Sequence, residues 1–167
     1  MLRGQLRILA DRLGLSLQVG GDRKWGRPYL NRKFFRLLGE RMGDDCLLVV
    51  AERDGRPIAG ALNMIGGDCL YGRYWGASGD FHSLHFEACY YQGIEYCIRN
   101  GLQRFEPGTQ GEHKLARGFE PTFTWSAHWV ADRTLRAAIA SYLAREAEAV
   151  GEYAELAAQH VPFRAGT

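Results

Sequence analysis

Residues Leu70 to Phe119 decide the fold, and they read LYGRYWGASGDFHSLHFEACYYQGIEYCIRNGLQRFEPGTQGEHKLARGF. The order is an apolar strand, a glycine-containing loop, a helix, a second strand and a polar loop. A helix is predicted over 83–100, with Ser83 or Asp80 as N-cap and Gly101 as the C′ glycine. In such a β-loop-α-β unit the first loop and the end of the second strand meet at one mouth, where open α/β sheets usually bind ligands.

The predicted helix has one polar stripe. Its members are spaced by three and four residues: His85, Ala88, Gln92, Glu95 and Arg99. Glu95 and Arg99 form an i,i+4 ion pair in the favoured order. Glu87 falls on the apolar side, where a carboxylate is costly unless it is paired, so it is predicted to be hydrogen-bonded or to bind substrate. The alternative is an ordinary acid stabilised by the dipole at the helix N-terminus.

The composition is that of an ordinary globular domain. With 167 residues, the chain is long enough for one domain with its own core. A net charge of +2 without long runs of like charge argues against a dedicated nucleic-acid surface, so phosphate recognition would have to be local. No stretch approaches about 18 apolar residues, so no membrane span is predicted. The four cysteines lack C-x-x-C spacing and are predicted to be free thiols in a reducing cytoplasm.

The flanking segments complete a predicted α/β (α+β) fold with a mixed central sheet flanked by helices. Asn31 is expected to cap a first helix, Asp54-Gly55 to turn a hairpin, and Asp132 to cap a long helix over 133–158. Strands are predicted at 46–53, 57–65, 69–76, 103–107 and 121–130. The first three should be antiparallel, and the fourth should return parallel to the third through the helix.

Three strings carry a resemblance to a known family: CLLVVAERDGRPIAGALNMIGGDCLYGRYWGAS (46–78), LHFEACYYQGIEYCIRNGLQRFEPGTQGEHKLARGF (84–119) and SAHWVAD (126–132). They resemble the C-terminal domain of the bacterial FemAB-like family, which consists of predicted N-acyltransferases of the GNAT superfamily with a suggested link to peptidoglycan. The resemblance covers 24–164 and implies a GNAT-like acyltransferase fold there, with 1–23 as an unassigned N-terminal segment.

The resemblance also implies a missing neighbour. Members of the family are longer and contain two GNAT-like halves packed together, so this chain is expected to be a fragment or a truncated product. An exposed apolar face is then expected, which would pack against a missing N-terminal half or support self-association. The aromatic-rich segment from Tyr29 to Phe35 is the first candidate for that face.

N-acyl transfer requires a positioned donor, a base for the amine and a polarised carbonyl. The catalytic candidates are Glu106 at the end of the fourth strand and His113 with Lys114 in the adjoining loop. The string KLARGF (114–119) resembles a K-x-x-x-G-F segment of Fem-type ligases that helps to hold the charged donor or substrate. Lys114 and Arg117 are therefore candidate phosphate ligands. The alternatives are a solvated strand-end acid and an exposed turn with two cations.

The candidate substrate-binding residues are Arg73, Tyr74, Trp75, Glu87, Gln110 and Arg117. Residues alternate faces along a strand. Either Tyr74 or the pair Arg73 and Trp75 should therefore face the ligand-binding mouth of the β-loop-α-β unit. Strand aromatics are, alternatively, core residues. His82, His85 and Cys89 have a spacing that suits zinc but lack a fourth ligand, so no metal is predicted.

The donor loop, RYWGASGD (73–80), is a poor match to the R/Q-x-x-G-x-G/A loop of coenzyme-A-dependent GNAT enzymes. Asp80 would repel a pyrophosphate, which favours an aminoacyl-tRNA, or another acyl donor, over acetyl-CoA, and the choice between an aminoacyl-tRNA and an acyl-CoA stays open. No tightly bound cofactor is predicted, and the expected partners are an acyl donor and an amine acceptor. The predicted function is transfer of an acyl or aminoacyl group to an amine, on a cell-wall precursor. The alternative is a non-catalytic GNAT-like scaffold or an inactive fragment.

Overall fold

The computed structural model of the chain describes residues 30–108 and 112–162. These residues belong to two compact units, one ending at Thr109 and the other beginning at Gln110. The predicted boundary between 1–23 and 24–164 lies outside the described residues and stays a prediction. In the part of the chain that is described, no helix is long and apolar enough to span a bilayer.

The first unit is a mixed four-stranded sheet with helices. Its elements are α1 (Arg32–Met42), β1 (Cys46–Arg53), β2 (Arg56–Gly66), β3 (Cys69–Ala77), α2 (84–100) and β4 (Arg104–Glu106). The strand order is β1-β2-β3-β4, with β1, β2 and β3 antiparallel and β4 parallel to β3. The predicted α/β class and the parallel return of the fourth strand are confirmed.

Local signals in the sequence set several element boundaries. The Asn31 side chain accepts a hydrogen bond from the Phe34 amide at 3.0 Å, so the predicted cap of α1 is confirmed. Asp54 and Gly55 both have positive φ, +52° and +70°, and connect β1 to β2 as the Asp-Gly signal predicts. Gly101 has a φ of +71° and ends α2 as a C′ glycine.

One face of the sheet packs against α1. Phe35 of α1, Cys46 of β1 and Leu62 of β2 form a buried cluster, with Met64 and Tyr74 packed against it. Tyr29 lies outside the described residues, Phe34 is exposed and Phe35 is buried, so the exposed face expected for this aromatic segment stays a prediction. The four cysteines are free, and Cys46, Cys69 and Cys97 are buried.

The helix α2 contacts the sheet through Gly93. A Cβ atom at this position would lie 2.6 Å from two ring atoms of Phe105 in β4 and 3.5 Å from Leu70 Cδ2 in β3. Because only glycine allows so close an approach, Gly93 fixes the distance between the helix and the two parallel strands.

A π turn interrupts α2, which runs as Leu84–Phe86, Glu87–Tyr91 and Gln92–Asn100. In the π turn, the Gln92 amide donates to the Glu87 carbonyl, five residues back. The predicted faces assumed a regular helix and are partly wrong: Ala88 is buried, whereas Glu87 and Ile98 are exposed. The ion pair between Glu95 and Arg99 is confirmed. Ser83 precedes the helix in the left-handed region and makes no side-chain cap, contrary to prediction.

The second unit contains a 3₁₀ turn, Glu112–Arg117, and the long helix α3, Arg133–Ala158. The Asp132 carboxylate accepts a hydrogen bond from the Leu135 amide at 2.8 Å, so the predicted cap and helix are confirmed. The strand predicted over 121–130 is wrong: these residues have no regular structure. Apolar residues alternate there, but alternation makes a strand only where a ladder partner is available, and none pairs with it among the described residues.

Candidate active site

The parallel strands β3 and β4 pair over a short distance and then part. Cys69, Leu70 and Tyr71 lie opposite Arg104, Phe105 and Glu106, in that order. Beyond them β3 continues to Ala77, whereas β4 ends at Glu106 and the backbone leaves the sheet at Pro107. Gly72 lies at the branch point, since a Cβ there would be 3.3 Å from Pro107 Cα. Beyond the pair formed by Tyr71 and Glu106, no strand pairs with this edge of β3 among the described residues.

Glu106 occupies the last paired position of β4 and is exposed. The ring of Phe105 points at Gly93 of α2. Because neighbouring strand residues point to opposite faces, Glu106 projects to the face of the sheet opposite α2. Its carboxylate thus lies where the parallel pairing ends and is accessible from water.

Tyr71 is the cross-strand partner of Glu106. The interaction with the Cys69 side chain, followed by burial and the charge of Glu106, raises the pKa of the Tyr71 hydroxyl. The phenol therefore keeps its proton at neutral pH. A carboxylate and a protonated phenol, one able to accept a proton and the other to donate one, lie side by side at the strand ends.

A β-bulge sets the directions of the next side chains. Leu62 pairs with Tyr74 and Asn63 pairs with Gly72, so Arg73 is the extra residue. Tyr74 packs edge-on against Phe35, with ring centroids 6.3 Å apart, and the Arg73 guanidinium lies 5.4 Å from the centre of the Tyr74 ring. Trp75 faces α2 instead. The predicted alternative in which Arg73 and Trp75 share a face is therefore wrong, because the bulge breaks the alternation.

Trp75 belongs to an aromatic cluster at the start of α2. The His85 ring packs edge-on against Trp75, Phe86 and Tyr90, at centroid distances of 5.4, 5.5 and 5.4 Å. Glu87 points away from this cluster into solvent, and its carboxylate accepts a hydrogen bond from Gln92 Nε2 at 2.8 Å. The cluster binds α2 to β3 and separates Glu87 from Trp75.

The N-terminus of α2 is partly satisfied from within the chain. The Leu84 amide donates to the Phe81 carbonyl at 3.3 Å, and the Phe86 and Glu87 amides donate to the Ser83 carbonyl. The Ser83 hydroxyl is 3.0 Å from His82 Nδ1. Within the described residues, no three His, Cys, Asp or Glu side chains are grouped closely enough to hold a metal ion.

The second unit, described by itself, contains a turn with two cations, Lys114 and Arg117, next to His113; it is called the cationic turn below. The amides of Phe119 and Gly118 donate to the Lys114 and Leu115 carbonyls at 3.2 and 2.9 Å, and Gly118 has a φ of +85°. This is the Schellman pattern that closes a helical turn. In a 3₁₀ turn, residues i and i+3 are eclipsed, so Lys114 and Arg117 stand on the same side.

Arg117 also closes the turn through its side chain, because its Nη1 donates to the His113 carbonyl at 2.6 Å. Burial, and then the charges of Lys114 and Arg117, lower the pKa of His113. Its imidazole is therefore neutral at pH 7 and can accept a proton. Gln110, the other predicted ligand in this region, lies outside the described residues.

The candidate residues fall into three groups. Glu106 lies with Arg73 and Tyr74 on one face of the first unit, Trp75 lies on the other face near α2, and His113, Lys114 and Arg117 share the turn of the second unit. Tyr71 was not predicted from the sequence. Only the register of β4 against β3 identifies it, because no motif distinguishes Tyr71 from Tyr74.

Comparisons with known proteins bear on the family. No curated protein matches the chain. One solved structure, the PaiA N-acetyltransferase from Thermoplasma acidophilum in complex with coenzyme A, is similar with a TM-score of 0.45 and 13% sequence identity, over 61% of this chain and 71% of that one. Residues 15–165 match the FemAB-like family, which is described as acting in peptidoglycan biosynthesis or recognition. With nearly its whole length matched, the chain belongs to the FemAB-like family.

Proposed function

We propose that the chain is an N-acyltransferase domain whose reacting groups lie where β3 and β4 part. The observation that carries this proposal is the position of Glu106: it is the last paired residue of β4, opposite Tyr71, where the pairing with β3 ends. A carboxylate at this position can remove the proton of an incoming amine, which then attacks the acyl carbonyl of the donor.

The outer edge of β3 beyond Tyr71 is a binding surface for an extended donor. In the described residues no strand pairs with this edge, so its amide and carbonyl groups can bond to a ligand, as sheet edges do with extended peptides. The acyl bond of the donor breaks as the new amide bond forms. The Tyr71 hydroxyl, which lies opposite Glu106, would supply a proton to the leaving oxygen or sulfur.

The start of α2 favours a donor other than acyl-CoA. Anion binding at a helix N-terminus requires free amides and an absence of nearby acids. Here the Leu84 amide is used by Phe81, Glu87 lies in the first turns, and Asp80 is exposed just upstream. An aminoacyl-tRNA fits these constraints better than the pyrophosphate of coenzyme A. In the second unit, the cationic turn would bind a phosphate group of the donor or of a cell-wall precursor.

The test is acylation of a peptidoglycan precursor amine, followed by mass spectrometry. Aminoacyl-tRNA and acetyl-CoA are offered separately as donors, with UDP-linked and lipid-linked muramyl peptides as acceptors. Glu106→Gln should lower turnover by about 100-fold or more, because general-base catalysis contributes about that factor. Glu52→Gln, at the exposed end of β1, is the matched control and should leave turnover unchanged.

Binding of precursor without any transfer would instead identify a non-catalytic recognition domain. Equal turnover by wild type and Glu106→Gln would remove Glu106 from the reaction.

A further inference from the structure

The helix α3 exposes a long apolar stripe. The exposed large apolar side chains on it are Leu135, Ile139, Tyr142, Leu143, Val150, Tyr153 and Leu156. Most of them follow a seam with alternating steps of four and three residues: Leu135, Ile139, Tyr142, Glu146, Ala149, Tyr153 and Leu156. This is the spacing of residues that face another helix in a coiled coil. Glu146 stands at the middle of the seam.

The charges of α3 are separated by sign along its length. The first half, 133–145, carries three arginines and no acid; the second half, 146–158, carries four glutamates and no base. The helix dipole favours the reverse arrangement, acids at the N-terminus and bases at the C-terminus. The first turn of α3 has no acid and the last turn has no base. The charge pattern therefore does not stabilise the helix by itself. A second copy of the helix that runs in the opposite direction would, however, place its glutamates beside these arginines and its arginines beside these glutamates.

We propose that α3 pairs antiparallel with α3 of a second copy of this chain. A two-fold axis between Arg145 and Glu146 places Leu135 opposite Leu156 of the second copy and Arg136 opposite Glu155. The same axis places Arg145 opposite Glu146, so the acid within the apolar seam meets a base. Every contact occurs twice, as a closed two-fold dimer requires.

The charge pattern selects this arrangement over the others. A parallel pair would set arginines beside arginines and glutamates beside glutamates, which is repulsive. A membrane surface is also disfavoured, because amphipathic helices that bind bilayers carry basic residues along the polar face. At 26 residues α3 is about 39 Å long, which gives a helix pair room to approach the roughly 800 Å² per partner of stable interfaces.

The first experiment measures the association of the full chain by sedimentation equilibrium. Wild type should be a dimer, and Ile139→Asp should convert it to a monomer because it places a charge in the seam. Ala137→Asp is the matched control. It adds the same charge to the opposite side of the same helix and should stay dimeric. Circular dichroism of both variants checks that the helix content is unchanged. A wild-type chain that remains monomeric at about 100 μM, two decades above the micromolar range of ordinary association, would overturn the proposal.

The second experiment tests the antiparallel register. Arg136→Glu and Glu155→Arg should each raise the dimer Kd about tenfold, since two symmetric contacts change from attraction to repulsion. The double variant exchanges the two charges and should return the Kd to within about threefold of wild type. An equal and additive loss in the double variant would exclude the antiparallel pairing, whatever the oligomeric state. Neither experiment measures turnover, so the test of the dimer is independent of the proposed acyl transfer.

Discussion

The backbone conformation of the turn sets the positions of Lys114 and Arg117. Gly118 adopts a φ of +85° that other residues rarely adopt, and the two hydrogen bonds after it end the turn. This places two cations on one side of a short turn next to a neutral imidazole. The Gly118 and Phe119 amides and the Arg117 side chain all bond to carbonyls within 113–115, and these local bonds hold the two cations in place on the turn.

Replacing Lys114 by alanine should weaken donor binding or turnover by about 10- to 100-fold, because a hydrogen bond to a charged group contributes about 1.5–3 kcal/mol. Lys114→Arg should restore only part of the loss, since the guanidinium has a different shape. The readouts are the Kd for donor, by titration, and the melting temperature, which should hardly change. Lys33→Ala, on the exposed surface of α1, is the matched control. A lower melting temperature with normal activity would make Lys114 a structural residue.

His113 should make the stability depend on pH near neutrality. Its pKa in the folded chain lies below the ordinary 6.5, so the unfolded chain binds the proton more tightly. The contribution of His113 to the unfolding free energy is therefore fully present above pH 6.5, and it is lost as the pH drops from 6.5 through the folded pKa. The loss is small because the ring is largely exposed. Denaturant unfolding at several pH values should show a shallower acid loss for His113→Gln than for wild type; identical slopes would contradict the shift.

Residue identities were predicted more readily than their directions. Glu106 was predicted at a strand end and Lys114 and Arg117 in a polar loop, and they lie there. Arg73 and Trp75 were predicted on one face, because a strand without a bulge alternates. Tyr71 was missed because its position opposite Glu106 depends on the register of two strands that lie far apart in sequence. Such a register is set by packing against α2, not by any local motif.

At the scale of elements, the contact between α2 and β4 depends on one glycine. Gly93→Ala would ordinarily favour a helix by about 1 kcal/mol, but the new methyl group would overlap the Phe105 ring. Such overpacking costs about 1–3 kcal/mol, so the unfolding free energy should fall. Gly151→Ala in α3 is the matched control, because nothing lies within 4 Å of its Cβ position. It should stabilise the chain by about 0.5–1 kcal/mol.

The unfolding free energies of both variants are compared with wild type by urea unfolding, and the comparison is valid where the m-value is unchanged. A Gly93→Ala variant that is as stable as wild type would show that α2 can move away from β4 at no cost. Adding Phe105→Leu to Gly93→Ala should recover part of the lost stability, since a smaller side chain relieves the overlap.

Helices were predicted better than their faces. Caps at Asn31, Asp132 and Gly101 have clear local signatures, and these boundaries are confirmed. The faces of α2 depend on its hydrogen-bond spacing, and the π turn changes that spacing. A periodicity of 3.6 residues therefore assigned Ala88 to solvent although it is buried. The sequence contains no residue type that marks a π turn in advance.

At the scale of the whole molecule, protection of the backbone should follow the sheet. The strand β2 pairs on both edges and its central residues Ala59, Ala61 and Leu62 are buried. Hydrogen exchange measured by mass spectrometry should be slowest in 58–63 and fast in 121–130, where no ladder protects the amides. Slow exchange in 121–130 would show that this segment joins a sheet in solution.

The first unit was predictable from sequence because its connections are short. Tight turns join β1, β2 and β3, and one helix returns β4, so local signals and the pairing rules for strands nearly determine the order. The second unit was predicted only in part. Its helix is marked by a cap and a long periodic run, but the partner that a strand at 121–130 would need is not encoded nearby.

The π turn at Glu87–Tyr91 bears on how the gene tolerates insertions and deletions. Loss of one codon in a regular helix rotates everything beyond it by about 100°, which would carry Gly93 away from Phe105. Loss of one codon within the π turn would instead remove its surplus residue and leave the two flanking segments in phase. Length variation among related genes should therefore be tolerated at 87–91 and selected against elsewhere in α2.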